Sequence, residues 1–316
     1  MRLINLDATP YVKKVNILFL LGIFSLVSTF QCYSQEAEID TIPNEAFNLA
    51  IKQTGVSFGN SANFNGVRIN AVDKGVETIN GINLTLWKPE PAYNPHAVNN
   101  GVSIGVVSTY AAKMNGIALG TGVMNGKMNG IAFGLLGGGT EDNMNGFAFG
   151  GLGFGSGGNL NGVTIGGIGG GSAGNINGIA IGGLGFGAAE NMNGLIIGGL
   201  GAGSGKNLNG IALGTSGRGC GESASGFLLG GLGVGCGGTL KGVSIGGFGV
   251  GAGESFQGVG LSLGMMKTPE LKGLAISSYV NVDKAFGLTI GLINKVKELH
   301  GIQLGLINYA GNNPKF

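Results

Sequence analysis

The chain is poor in the residues from which most active sites are built. Among its 316 residues are two histidines, three cysteines and one tryptophan, and only 11% are charged. His96 lies in a proline-flanked stretch and His300 near the end, and neither has a partner at a spacing suited to a metal ion or to proton transfer. Acid–base and nucleophilic chemistry need converging titratable groups, so this scarcity argues against an enzyme and against any cofactor. Basic charge is thin as well. The formal net charge is +2, with no basic stripe and no interleaved aromatic run, which excludes a nucleic-acid footprint. Proline supplies only 7 residues and no G-X-Y triplet persists, so the 69 glycines do not build a collagen helix.

What the chain does have is apolar surface, with 43% hydrophobic residues. That is too much for a disordered linker, so the chain must fold or insert. At the N-terminus, Lys13 and Lys14 precede an apolar run from Ile17 to Phe30, then Gln31-Cys32-Tyr33-Ser34-Gln35, then acidic Glu36, Glu38 and Asp40. Charged, apolar, small and polar segments in that order form a secretory signal. The run is shorter than the roughly 20 residues of a membrane-spanning helix. Cleavage is expected near Ser34. Cys32 raises a lipoprotein alternative, but Thr29-Phe30-Gln31 lacks the small residue expected before a lipidated cysteine. The chain is therefore expected to be exported to the outer membrane or cell surface, with the periplasm as the alternative.

The dominant feature is an Asn-Gly-apolar-x-apolar repeat whose glycines run from Gly66 through Gly81, Gly101 and Gly116 to Gly301. From Gly130 to Gly258 the separation is 128 residues, eight equal steps of sixteen. One inserted residue would flip a strand's faces, so strict spacing means that each unit occupies an equivalent place. Within a unit, Leu195 alternates with Ile197 and Leu200 with Ala202, and the Gly198-Gly199 pair shifts the alternation between them. Such a pattern reads as two strands joined by a tight corner, or one strand with a bulge. Helix is excluded by the glycines, each costing about 1 kcal/mol relative to alanine in a helix interior.

The columns of the repeat assign faces. Large apolar residues fill the first and third positions after the glycine, as in Phe147 and Phe149 or Val163 and Ile165, while Ala148, Thr164, Ala180, Ala212 and Ser244 stand between them. One face is large and the other small. Met144, Leu160, Ile176, Met192 and Leu208 each sit between two asparagines, which favours a compact coil that tucks one side chain inward at each turn. Stacked coils would then align Asn145, Asn161, Asn177, Asn193 and Asn209 into a ladder. Cys220 and Cys236 are sixteen residues apart, each ten residues after its unit's glycine. Two readings stand. In stacked coils their Cα atoms would be about 4.8 Å apart, within the disulfide range of about 4.4 to 6.8 Å, and export permits oxidation. Alternatively they belong to a buried small-residue column with Ser156, Ser172, Ala188, Ser204 and Ala252.

Two all-β architectures satisfy this pattern. In a parallel β-solenoid each unit is one coil, and the whole repeat makes a rod of about 75 Å. In an antiparallel up-and-down β-barrel each unit is one strand plus a turn, giving a porin-sized barrel of about 16 strands. The solenoid is favoured because alternate barrel turns would lie on opposite membrane faces yet share one sequence. The expected division is a signal at 1–34, an N-terminal cap or linker at 35–60, irregular repeats with a Trp87 loop at 61–129, the regular block at 130–265 and shorter repeats at 266–316.

Glycine strings such as Gly150-Gly-Leu-Gly-Phe-Gly155 imitate dinucleotide fingerprints but lack the following helix and distal acid. Gly203-Ser-Gly-Lys206 lacks the hydroxyl residue that follows a P-loop lysine. Gly155 and Gly187 stand where a calcium-binding nonapeptide would place aspartate, so no metal is expected. The loop around Trp87, Pro89, Pro91 and Pro95 is the one place for a small binding surface.

The C-terminal units Gly287-Leu-Thr-Ile-Gly-Leu-Ile-Asn294 and Gly301-Ile-Gln-Leu-Gly-Leu-Ile-Asn308 resemble the GLQIGLIN-type glycine-rich repeats of bacterial surface-repeat proteins, including surface repeat lipoproteins. Asn80-Gly-Ile-Asn-Leu-Thr-Leu-Trp87 is similar to their N-terminal portion. The resemblance spans most of the mature chain, implies cell-envelope location and brings no catalytic residues. Together these readings lead to a non-enzymatic exported structural or surface repeat protein contacting an unidentified partner, with an integral outer-membrane β-barrel or pore as the alternative.

Overall fold

A computed structural model describes residues 46–313; the signal segment, Cys32 and the expected cleavage site lie outside the described residues. The described chain is a stack of β-coils. Strand β1 (Ala46–Ile51) pairs antiparallel with β2 (Thr54–Gly59), and β2 runs parallel to β3 (Asn63–Asn70). From there every pairing among the described residues is parallel, through β4 (Thr78–Thr85), β5 (Val98–Thr109), β6 (Lys113–Asn125) and β7 (Lys127–Thr140). Parallel neighbours cannot form an up-and-down barrel, so the chain is a β-solenoid.

In the regular block each unit splits into a longer and a shorter strand. The first such unit is β8 (Met144–Gly150) and β9 (Gly153–Ser156), joined by the Gly151-Leu152 corner. Of the two local forms the repeat permits, the structure has the corner. Register is exact in residue pairing: Gly146 faces Gly162, which faces Gly178, which faces Gly194. Towards the C-terminus the coils shorten to fourteen or fifteen residues, and the paired strands merge into continuous ones at Met265–Ile276, Tyr279–Ile290 and Ile293–Leu304.

The repeat glycine has a backbone reason. Gly146 has φ +124°, a region that L side chains rarely adopt, and a Cβ there would lie 2.1 Å from the carbonyl oxygen of Gly130 in the preceding coil. The same conformation recurs at every repeat glycine from Gly66 to Gly287.

The small face points inward. A coil has four inward positions, filled for example by the buried Met144, Ala148, Phe154 and Ser156, while Phe147 and Phe149 remain half-exposed outside. A sixteen-residue coil encloses little room, and Met144 with Phe154 already fills it. Volumes compensate from coil to coil: Gly138, Phe154, Gly170 and Phe186 follow one another in one column. A Cβ on Gly138 would lie 2.8 Å from the Phe154 ring, and one on Gly170 would lie 2.7 Å from the Phe186 ring. Each ring therefore occupies the space that the preceding glycine leaves, giving the close packing expected of a core.

One core position breaks this rule. Arg218 takes the place of Ala202 and Val234 in the same column and is buried. Its Nη2 reaches the Gly198 carbonyl at 3.4 Å, while Nε and Nη1 have no partner. The ladder gives way beside it: pairing there stops at Ile197 and Leu213, and the Thr215 amide donates to Gly199 rather than Gly198. Burial pushes the Arg218 pKa down to about 10. Orphaned buried donors cost roughly 1–3 kcal/mol each, so Arg218→Met should raise stability by about that amount in a denaturant titration at pH 7. A folded-state pKa below the unfolded value means that wild-type stability rises once pH passes about 10. The gap between variant and wild type should therefore narrow above that pH.

Candidate functional site

Three features of the stack could carry function: its polar ladders, its cross-link and its outer apolar face. The asparagines named from the repeat lie in one line. Asn161 Nδ2 donates to Asn145 Oδ1 at 2.8 Å, and the pattern continues through Asn177, Asn193 and Asn209. It also extends in the other direction through Asn129, Asn115, Asn100 and Asn80 to Asn65. A second ladder runs beside it through Asn143, Asn159, Asn175, Asn191 and Asn207, each Oδ1 accepting both the side-chain and the backbone N–H of the next asparagine. The sequence showed these residues as flanks of the buried Met144 column, and their sixteen-residue period was the signal for the second ladder.

Cys220 and Cys236 sit on adjacent coils with Cα atoms 4.8 Å apart and form a disulfide. The same column holds Ser156, Ser172, Ala188, Ser204 and Ala252, all buried. The two readings of this pair thus describe one place. A closed loop of this length is worth about 3 kcal/mol in the chain-entropy account, so reduction should lower the midpoint of chemical unfolding accordingly. Alkylation of unreduced protein followed by mass spectrometry should find neither cysteine labelled.

A buried polar cluster at the N-terminal coils has no counterpart in the repeat. Arg68 and Asp73 form an ion pair inside the stack, both essentially inaccessible. Asp73 Oδ2 also accepts from Asn83 Nδ2 and Thr85 Oγ1, each at 2.8 Å, and Arg68 Nη1 donates to Asn83 Oδ1 at 2.8 Å. The proline-rich loop closes over this cluster, with Asn94 Nδ2 donating to the Asp73 carbonyl at 2.7 Å and Lys74 placed over the Tyr93 ring. That loop acts as a lid on the cluster, while Trp87 points away from it. His96 is exposed, and His300 is exposed and stacks on Phe286 with ring centroids 4.8 Å apart. Among the described residues no three His, Cys, Asp or Glu side chains converge as a metal site would need.

The largest feature is the outer face. In every unit from Val67 to Leu304 the first and third positions after the glycine are apolar, and these side chains point outward. The corner residue adds a third row, with Leu152 56% exposed, Leu184 54% and Phe248 72%. Trp87, 63% exposed, stands in that row near the N-terminal end, its amide bonded to Ala71 as Leu152 is to Leu136. Phe133 and Phe149 stack on this face with ring centroids 4.7 Å apart. A shallow groove of about 420 Å³ runs between Ile197, Leu213 and Leu229, floored by glycine, and another of about 520 Å³ lies between Leu263, Ile276, Ile290 and Leu304. Most charged residues of the regular block occupy the far turns: Glu141, Asp142, Lys206, Glu222 and Glu254 are all exposed there. The stack is amphipathic across its width, with an apolar ribbon on one side and polar turns on the other.

No family model matches the chain, and no curated protein and no solved structure matches it either.

Proposed function

We propose that the protein is a non-enzymatic, exported structural protein of the bacterial cell envelope that works by contact through its apolar ribbon. The ribbon carries this reading. Exposed apolar patches on monomeric soluble proteins rarely exceed a few hundred Å² unless they meet a partner or a membrane, and this one continues through all the repeat units. The charged, apolar and polar segments from Lys13 to Asp40 support export, and the resemblance to bacterial surface-repeat proteins supports an envelope setting. The buried polar groups serve the fold: Asp73 is saturated by donors and the asparagines bond to one another. Envelope preparations washed in alkaline carbonate and then treated with external protease test this reading. The chain should stay with the membranes and be cut in intact cells; recovery wholly in the soluble periplasmic fraction would overturn it.

A further inference from the structure

We infer that two copies of this chain pack against each other face to face through the apolar ribbon. The ribbon's dimensions set the first condition. Coils stack at about 4.8 Å and a strand advances about 3.3 Å per residue, so a ribbon spanning the repeat glycines from Gly66 to Gly301 is about 70 Å long and about 15 Å wide. Its area is on the order of 1,000 Å². A stable protein–protein interface buries about 800 Å² per partner, so one ribbon covering another suffices without any further contact.

The second condition is the shape of the surface. Its side chains stand in rows that repeat with the coils, because Phe147 is paired with Val163 and Val163 with Ile179 in strict register. Rows of ridges and grooves at one spacing fit an identical set, as inner sheet faces do when two sheets stack about 10 Å apart. A two-fold axis brings the same patch of each copy together, and such an isologous contact closes after two copies. No like charges would meet, since the ribbon positions of the regular block hold none.

Charge distinguishes a second copy from a lipid surface. Sheets and helices that rest on bilayers carry Lys or Arg and Trp or Tyr along their flanks. Trp87 stands on the ribbon before its central stretch and Tyr279 and Tyr309 come after it, but the residues of that stretch, 130–265, contain neither Trp nor Tyr. Their charges are Glu141, Asp142, Glu190, Glu222 and Glu254 against Lys206, Lys241 and the buried Arg218. The flanks of the regular block are acidic on balance, and this central part of the ribbon does not suit an anionic membrane.

The test uses the purified, signal-processed chain, so it is independent of where the protein resides in the cell. Sedimentation velocity across nanomolar to micromolar concentrations should show a monomer–dimer equilibrium. Leu184→Lys with Leu200→Lys, both on exposed corners, should weaken the dimer at least 100-fold while leaving the circular dichroism spectrum unchanged, and the thermal midpoint unchanged at dilutions where both proteins are monomeric. Glu222→Lys, on the polar side, should leave the dimer as it is. As a second probe, Leu184→Cys should give an inter-chain cross-link under mild oxidation, and Glu222→Cys should not. A chain that is monomeric at every concentration overturns the inference, as does a dimer indifferent to the Leu184 and Leu200 changes. So does a monomer that floats with phosphatidylcholine–phosphatidylglycerol vesicles, which would assign the ribbon to lipid.

Discussion

Gly194→Ala should cost the chain about 3–5 kcal/mol, a loss at the upper end for a single methyl group. Two penalties coincide at this site. The backbone has φ +123°, where an L residue is strained by roughly 1–3 kcal/mol. The new methyl would also meet the Gly178 carbonyl oxygen at 2.1 Å, and that oxygen belongs to the neighbouring coil's backbone and cannot swing aside. Gly187 is the matched control. It is exposed, its φ is not in the positive region, and a Cβ there meets nothing nearer than the Gly203 carbonyl oxygen at 3.9 Å. Gly187→Ala should therefore shift stability by less than about 0.5 kcal/mol. Denaturant unfolding of both variants decides the matter. Equal effects would mean that the repeat glycine is not held by its conformation.

Asp73→Ala should be comparably damaging, at about 3–5 kcal/mol, because it leaves the Arg68 guanidinium buried without its carboxylate and strips Asn83 and Thr85 of an acceptor. The diagnostic is the double variant. Removing both charges as Arg68→Met with Asp73→Ala should be less harmful than Asp73→Ala alone, since no uncompensated buried charge remains. A double-mutant cycle measured by chemical denaturation reads that coupling directly. Additive losses would show that the two side chains stabilise the coil independently.

Much of the architecture was legible because a coil must return to register. The step of sixteen from Gly130 to Gly258 required equivalent units, and the column containing Asn145 through Asn209 needed only that units stack. Whether neighbours run parallel or antiparallel was not legible from periodicity, since both sheets alternate side chains with a period of two. Nor was the inward face. Large apolar residues ordinarily face the core, yet Phe149 is outside and Ala148 inside, because a coil this small has no room for a third large side chain beside Met144 and Phe154. The Arg68–Asp73 cluster was hidden for another reason. Asp73 lies off the repeat, in the segment between β3 and β4, and nothing in its spacing ties it to Arg68.

The regular register also bears on how such a chain reaches its native state. In the regular block each residue's ladder partner lies sixteen positions away, so no coil needs a distant part of the chain to be in place first. Loop closure over such short distances is entropically mild. Among the described residues the antiparallel β1–β2 pair is the one element that is not built on a preceding coil. Folding that begins there can advance rung by rung in the direction of synthesis, with each finished coil serving as the template for the next.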